Sequence, residues 1–453
     1  MSRTAPAEAG FAEVVVTPPL GTGMAGYFRE RSADGVRDDL YSRALVVSQG
    51  DTCWALVVTD LIGVPMEDVL AVRRQVARRT GIPEEHVLVA ATHTHTGPVT
   101  VARPGFERDE TYMRHWARLT AGAVELAFRR RVEATVGVGR GRLSGVAFHR
   151  RFKMRNGWVH TNPGVGNPDI VEPAGPVDED VTVVRFDGPD GRPIGILTHF
   201  ACHPDTVGGT AFSGDWIGAA ARALRPLIRC AAAAPEAGDL AGGGRPGVVV
   251  LNGACGDINH VDVRPSRRAR RWPATTELIG VGLAAEAGRV ALGLAPEPVD
   301  SLGAASRRII LRRIPIDEFL AQNRAAIADP RVGQMERRRA EANLEMAGFF
   351  AHEPETVEAE ITCLRIGRAI IASCPGELSC ELGLAIKEAV PGAFVMVANL
   401  SNGYLGYIPA ARTYREGGYE GRSSRLQPGS GEEIVAAATA LARALAADAG
   451  WGA

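Results

Sequence analysis

Short, wholly apolar runs that end abruptly in polar loops constrain this chain more than any other feature. The segment His86–Ala91 reads HVLVAA and passes straight into THTHTGP, and Val248–Leu251 turns into NGACGD. Apolar runs of four to eight residues bounded by turn residues are the mark of buried strands, and when they alternate with amphipathic stretches they define an α/β architecture. Ala44–Val47 and Trp54–Val58 read as strands paired around a Gln-Gly-Asp turn, followed by a helix over Met66–Thr80 that Gly81 and Pro83 stop. The logic continues with a helix over Tyr112–Arg131 and strands over Ala134–Gly139, Val181–Phe186 and Ile194–Phe200. A helix over Trp216–Ile228, capped by Ser213 or Asp215, precedes the Val248–Leu251 strand.

Further along, helices are expected over Asp317–Ala328 and Met335–Phe349, and strands near Ile361–Ile366, Ala369–Ser373 and Phe394–Ala398. Glu377–Val390 reads as a helix after a Pro-Gly turn, and Ile434–Ala447 as an amphipathic helix. The expected fold is therefore α/β, with mixed β-sheets flanked by helices. No internal repeat or interdomain linker is evident, so residues 1–453 are expected to form one catalytic unit.

Composition excludes several classes. With 51 Lys and Arg against 52 Asp and Glu, the net charge of −1 offers no basic face for nucleic acid. The arginine-rich run 264–271 reads as solvated surface, and the Ala/Gly-rich run 232–247 as a surface loop. No stretch approaches the roughly 20 apolar residues of a membrane span, and the N-terminus lacks the apolar core of a signal peptide. Seven cysteines without a CxxC pair point to buried free thiols, so a cytoplasmic location is expected.

The polar loops carry the candidate chemistry. His93 and His95 are two apart, which in extended chain places both imidazoles on one face. Such a pair suits a metal ligand beside a proton-transfer group, although HxH alone is a weak signal and is more often hydrogen-bonded surface structure. His199 lies inside a strand and is expected to pack in the sheet, whereas His203 lies just beyond it. Glu377 is expected at a helix start, where the dipole favours a carboxylate; capping alone would also account for it. Tyr404, Tyr407, Tyr414 and Tyr419 crowd one glycine-rich loop, where each taken singly is a packing residue. GTGMAG at 21–26 spells GxGxxG, but Pro18 and Pro19 precede it and no amphipathic helix follows, so it reads as a loop. GxSxG, HExxH and Walker patterns are missing.

In order, the motifs VTPP, GMAGY, HTHTGP, HPD…SGDW, CPGE and NGYLGY…GGYEG resemble the neutral/alkaline non-lysosomal ceramidase family across most of the chain. The resemblance implies a zinc-dependent amidohydrolase that cleaves an N-acyl amide with metal-activated water. It implies His93, His203, Glu377 and Tyr407 as the ligands of one zinc ion, with His95 beside the metal and Tyr419 facing the reacting carbonyl. A family arginine matches Arg150 in FHRRF or, where the motif diverges, Arg151. The family's GDxSPN segment is GDINH here, so Asn259 replaces a serine. The chain ends soon after GYEG, so the family's immunoglobulin-like C-terminal domain is expected to be absent. Ceramide-like lipids and small soluble N-acyl amides of secondary metabolism are both open as substrates, as is amide formation. The competing reading is a non-catalytic zinc-stabilised binding module.

Overall fold

The structure, a computed structural model, describes residues 5–230, 245–264 and 274–450. The Ala/Gly-rich run up to residue 244 and the arginine-rich run beyond Arg264 lie outside the described residues.

Three sheets make up the frame. The first runs, in spatial order, Val87–Ala91, Thr52–Thr59, Tyr41–Gln49, Glu8–Val15 and the short Val132–Glu133. The second runs Gly247–Asn252, Pro193–Phe200, Asp180–Asp187, Thr135–Arg142 and Glu297–Pro298; the third runs Leu302–Arg312, Thr356–Ile366, Ala369–Ser373 and Phe394–Ala398. Each sheet contains the same ββαβ unit: an antiparallel hairpin, a crossover helix and a strand returning parallel to the second hairpin strand. The crossover helices are Met66–Thr80, Asp215–Cys230 and Cys380–Glu388. The three parallel pairs are Thr52–Thr59 with Val87–Ala91, Pro193–Phe200 with Gly247–Asn252, and Ala369–Ser373 with Phe394–Ala398.

This repeat explains why the strands read as unbroken apolar runs. The inner faces of all three sheets meet in one core, in which Trp54, Leu197, Leu251, Ile371 and Met396 are buried. The outer faces are covered in turn by Met66–Thr80 with Glu110–Arg129, by Asp215–Cys230 with Ala274–Leu292, and by Cys380–Glu388 with Ser430–Asp448. A strand buried on both faces has no polar side to alternate with. The helix ends follow their local chemistry. Asp109 accepts from the N–H groups of Thr111 and Tyr112, and Gly81, in the left-handed conformation, closes Met66–Thr80 with an N–H donated to Ala77.

Two expected elements are corrected. Glu377 does not open a helix: Glu377–Leu378 is a two-residue strand parallel to Tyr407–Ile408, and the helix begins at Cys380. Backbone pairing with the tyrosine loop has replaced the capping role. The helix expected over Met335–Phe349 divides into Gln334–Glu345 and Ala347–Phe350. Among the described residues, Cys53, Cys202, Cys255, Cys363, Cys374 and Cys380 are free thiols, and no helix is long and apolar enough to cross a membrane.

Candidate metal centre

The loops leaving the C-terminal ends of the three parallel pairs converge on one buried point, where α/β folds commonly gather ligands. His93 follows the Val87–Ala91 strand, His203 follows Pro193–Phe200, Glu377 follows Ala369–Ser373 and Tyr407 follows Phe394–Ala398. Each of the three units thus supplies at least one group, and all four side chains are buried.

His93 Nε2 lies 3.1 Å from His203 Nε2 and 3.3 Å from Glu377 Oε2, and His203 Nε2 lies 3.9 Å from the same carboxylate oxygen. The other ring nitrogens are occupied: His93 Nδ1 donates to the Ile62 carbonyl at 2.6 Å, and His203 Nδ1 to the Cys255 carbonyl at 3.2 Å. With Nδ1 donating to a carbonyl, the lone pair of each ring is left at Nε2, facing the other ring. Burial first, then the charge of Arg150, holds His203 well below the ordinary histidine value, so its ring is neutral. Burial would raise Glu377, but its polar neighbours outweigh it and keep the group below the ordinary carboxylate value. Glu377 Oε2 is buried and has no hydrogen-bond partner. Two imidazole lone pairs and a carboxylate oxygen therefore face one another in a buried position. That arrangement is repulsive without a cation between them, and nitrogen with oxygen donors suits a divalent ion such as zinc.

Backbone strain accompanies the placement. His93 has φ of 74°, a left-handed conformation rare outside glycine, so the His93–His95 stretch is not extended as its spacing suggested. The two rings still converge, with Nε2 atoms 3.4 Å apart, because the turn at His93 replaces the strand alternation. The ligand atoms of His93, His95 and His203 all lie within 4.8 Å of one another. The GMAGY segment packs on this loop: a Cβ at Gly26 would sit 2.7 Å from His95 Cα, and Arg31 donates to the carbonyls of Ala25 and His95. GTGMAG is therefore a loop that braces the histidines.

Glu377 is set by close backbone approach. Its N–H donates to the Gly406 carbonyl at 2.8 Å, and a side chain at Gly376 would meet that carbonyl oxygen at 2.5 Å. A side chain at Gly256 would likewise lie 2.5 Å from the Glu377 carbonyl. Arg150, buried, donates to Tyr407 Oη at 3.0 Å, to the Gly256 carbonyl at 2.7 Å and to Glu420 at 2.7 Å. Burial opposes its charge, but Tyr407 and Glu420 raise it well above the ordinary arginine value. Burial pushes the Tyr407 phenol well up, with Arg150 as the neighbouring charge that favours its ionised form. Arg151 turns away toward Glu416 and Glu420. Tyr419 stacks edge-on against Tyr407 with ring centroids 5.5 Å apart. Asn259 donates to Asn162, and His199 is buried in the sheet, where burial lowers its pKa to about 4.

Sequence reasoning missed two groups. Tyr404 Oη reaches Glu377 Oε1 at 3.5 Å, and Asp205 lies 3.5 Å from His95 Nδ1 while accepting from Tyr27 Oη at 2.7 Å. Asp205 follows His203 by two residues, so the HPD motif held the signal. Burial keeps His95 neutral, well below its ordinary value. His93, His95, Glu377, Tyr407 and Tyr419 line one end of a cavity of about 290 Å³ whose remaining wall includes Ile62, Val99, Phe106 and Phe349.

The arrangement of three helix-backed sheets is shared with solved ceramidases. The neutral ceramidase from Pseudomonas aeruginosa superposes with a TM-score of 0.74 at 19% identity, covering 97% of this chain and 75% of its own. A ceramidase described as complexed with C2 gives a TM-score of 0.73 at 18% identity, covering 97% and 76%. The sequence profile of the neutral/alkaline non-lysosomal ceramidase N-terminal domain matches residues 9–239, and this chain belongs to that family.

Proposed function

We propose that this protein is a zinc-dependent amidohydrolase acting on an N-acyl amide. The observation that carries the reading is the pair of bare, buried imidazole Nε2 atoms 3.1 Å apart with the unpartnered Glu377 oxygen beside them. Family membership, which suggests amide hydrolysis, supports the reaction class. His93, His203, Glu377 and Tyr407 would hold the ion. When bound, it supplies a Lewis acid that polarises a carbonyl and brings the pKa of a water toward about 7.

The chain's own residues do the rest. His95 is neutral and one ring from the ligands, so it takes up a proton at Nε2 and delivers it to the leaving amine. Asp205 lies 3.5 Å from His95 Nδ1, where a small approach would let it accept that N–H and leave Nε2 free. Tyr419 projects into the cavity and donates toward the oxyanion as charge grows on the carbonyl oxygen. Arg150 holds Tyr407 in place through their 3.0 Å contact and orients the site without entering it. The apolar wall of Ile62, Val99, Phe106 and Phe349 suits an acyl chain.

The test separates these roles. His93→Ala loses both bound metal and turnover on N-acyl amides. His95→Ala keeps the metal and slows turnover by roughly 100-fold. Wild-type turnover by metal-free His93→Ala protein ends the proposal.

A further inference from the structure

Two arginines in the cavity wall have no part in the chemistry just described. Arg103 lies over Phe106, 4.1 Å from the ring centroid, and makes one long contact to the Tyr27 carbonyl at 3.4 Å. Arg339, on the Gln334–Glu345 helix, lies 5.8 Å from the Tyr419 ring, and its buried Nε has no hydrogen-bond partner. Among the described residues, neither forms an ion pair with a carboxylate. The cavity's other arginines differ: Arg313 and Arg425 converge on Glu353 at 3.5 and 3.1 Å.

Arg103 and Arg339 come from distant parts of the chain, yet both line the same cavity. Burial, opposed in part by Tyr404 and reinforced by Arg339, holds Arg103 below its ordinary value. Like charges half withdrawn from water are costly unless an anion joins them, and the guanidinium fork matches a carboxylate. The pair is also near the centre. Tyr419 bridges Arg339 to Tyr407, and Tyr404, which influences Arg103, reaches Glu377.

We propose that Arg103 and Arg339 form an anion-binding subsite, so that the amide cleaved at this centre carries a carboxylate close to the scissile bond. The substrate class is then an acidic N-acyl amide, in contrast to a neutral lipid amide. The inference rests on the amidase reading above, and the experiment keeps the two apart.

Turnover is measured on two matched pairs. N-dodecanoyl-glycine against N-dodecanoyl-ethanolamine puts the charge on the amine half; N-dodecyl-succinamate against N-dodecyl-4-hydroxybutanamide puts it on the acyl half. Binding of both charged compounds and their neutral partners to zinc-loaded His95→Ala protein is measured by calorimetry. Wild type is expected to prefer the charged member of one pair by about tenfold or more in kcat/KM, mainly through KM, and the preferred pair locates the carboxylate. Arg103→Gln and Arg339→Gln each lower that ratio several-fold, and the double variant brings it near one. Arg→Lys at either position retains part of it, and melting curves establish that the variants fold. If the charged compound binds preferentially and the glutamine variants abolish that preference while no amide is cut, the subsite stands and the amidase reading falls. Equal handling of both members of both pairs, in turnover and in binding, overturns the subsite, as does a preference that survives in the double variant.

Discussion

His93 and His203 stand 110 residues apart in sequence, yet their Nε2 atoms face each other at 3.1 Å with both Nδ1 atoms committed to backbone carbonyls. Neither ring can rotate its free lone pair elsewhere without breaking its backbone hydrogen bond. The metal-free protein should therefore be the less stable form. Exhaustive chelation is expected to lower the melting temperature, and zinc to restore it. His203→Ala should melt like the chelated wild type and show no response to zinc. A melting temperature indifferent to chelation would contradict this account.

Arg150 tests the support beneath the ligands. It is fully enclosed and joins Glu420, the Gly256 carbonyl and Tyr407. Removing one partner of a buried ion pair leaves the other charge without compensation, which costs about 3–5 kcal/mol. Arg150→Met should lose stability in urea titrations by less than that full penalty, because Glu420 keeps Thr161 and Arg151 as neighbours. Arg151→Met should also destabilise, yet leave zinc affinity closer to wild type, since it does not contact Tyr407.

Much of this frame was legible because the physics that builds it is local. Val87–Ala91 and Phe394–Ala398 are buried on both faces, so their apolar runs announce them, and Met66–Thr80 carries its own stop signal in Gly81. Leu302–Arg312 has only Leu311 buried, and Ser306, Arg307 and Arg308 interrupt its apolar residues, so no continuous run marks it as a strand. Ala274–Leu292 is rich in small residues and buries much of its surface, which blurs helical periodicity. The threefold ββαβ repeat left no repeated residues, because strand burial demands only apolarity and each unit supplies different site groups.

The site divides the same way. The histidine and carboxylate motifs stand out at strand ends, so the gathering of His93, His203, Glu377 and Tyr407 could be anticipated from family motifs. The local geometry could not. The left-handed turn at His93 and the pairing of Glu377 with Tyr407 arise from contacts between units distant in sequence. Tyr404 carries no spacing signal of its own and Asp205 only its place in HPD, and the folded chain shows what they touch.

The glycines of CPGE and NGACGD provide a third prediction. A methyl group at Gly376 would lie 2.5 Å from the Gly406 carbonyl oxygen, and one at Gly256 would lie 2.5 Å from the Glu377 carbonyl oxygen. Backbone atoms cannot yield as side-chain ends do, so the short strand bearing Glu377 must shift. Gly376→Ala and Gly256→Ala should each weaken zinc binding at least tenfold, as displaced ligand positioning does, and lower stability by about 1–3 kcal/mol. Gly50→Ala, where no atom lies within 4 Å but φ is 56°, should cost stability without affecting zinc affinity. Metal titration together with urea denaturation distinguishes the two outcomes.

Acid sensitivity should track Asp257, whose main chain accepts the Arg150 N–H at 2.9 Å. Its carboxylate is buried, faces His149 Nε2 at 3.4 Å and accepts the Cys380 N–H at 2.8 Å. Burial alone would raise its pKa, but His149 and the Cys380 hydrogen bond prevail and hold it at about 2, against an ordinary value of 3.8. A carboxylate whose folded value is depressed binds fewer protons in the native chain than in the unfolded one, so stability rises with pH across the interval between the two values. The contribution is complete above about pH 4, declines as the pH falls from there toward about 2, and is lost below. It amounts to something on the order of 2 kcal/mol. Asp257→Asn should be less stable than wild type by that amount at neutral pH. The difference should narrow as urea titrations are repeated at successively lower pH between about 5 and 2. A gap that stays constant across that range would mean that the carboxylate's charge is not what holds this corner of the site together.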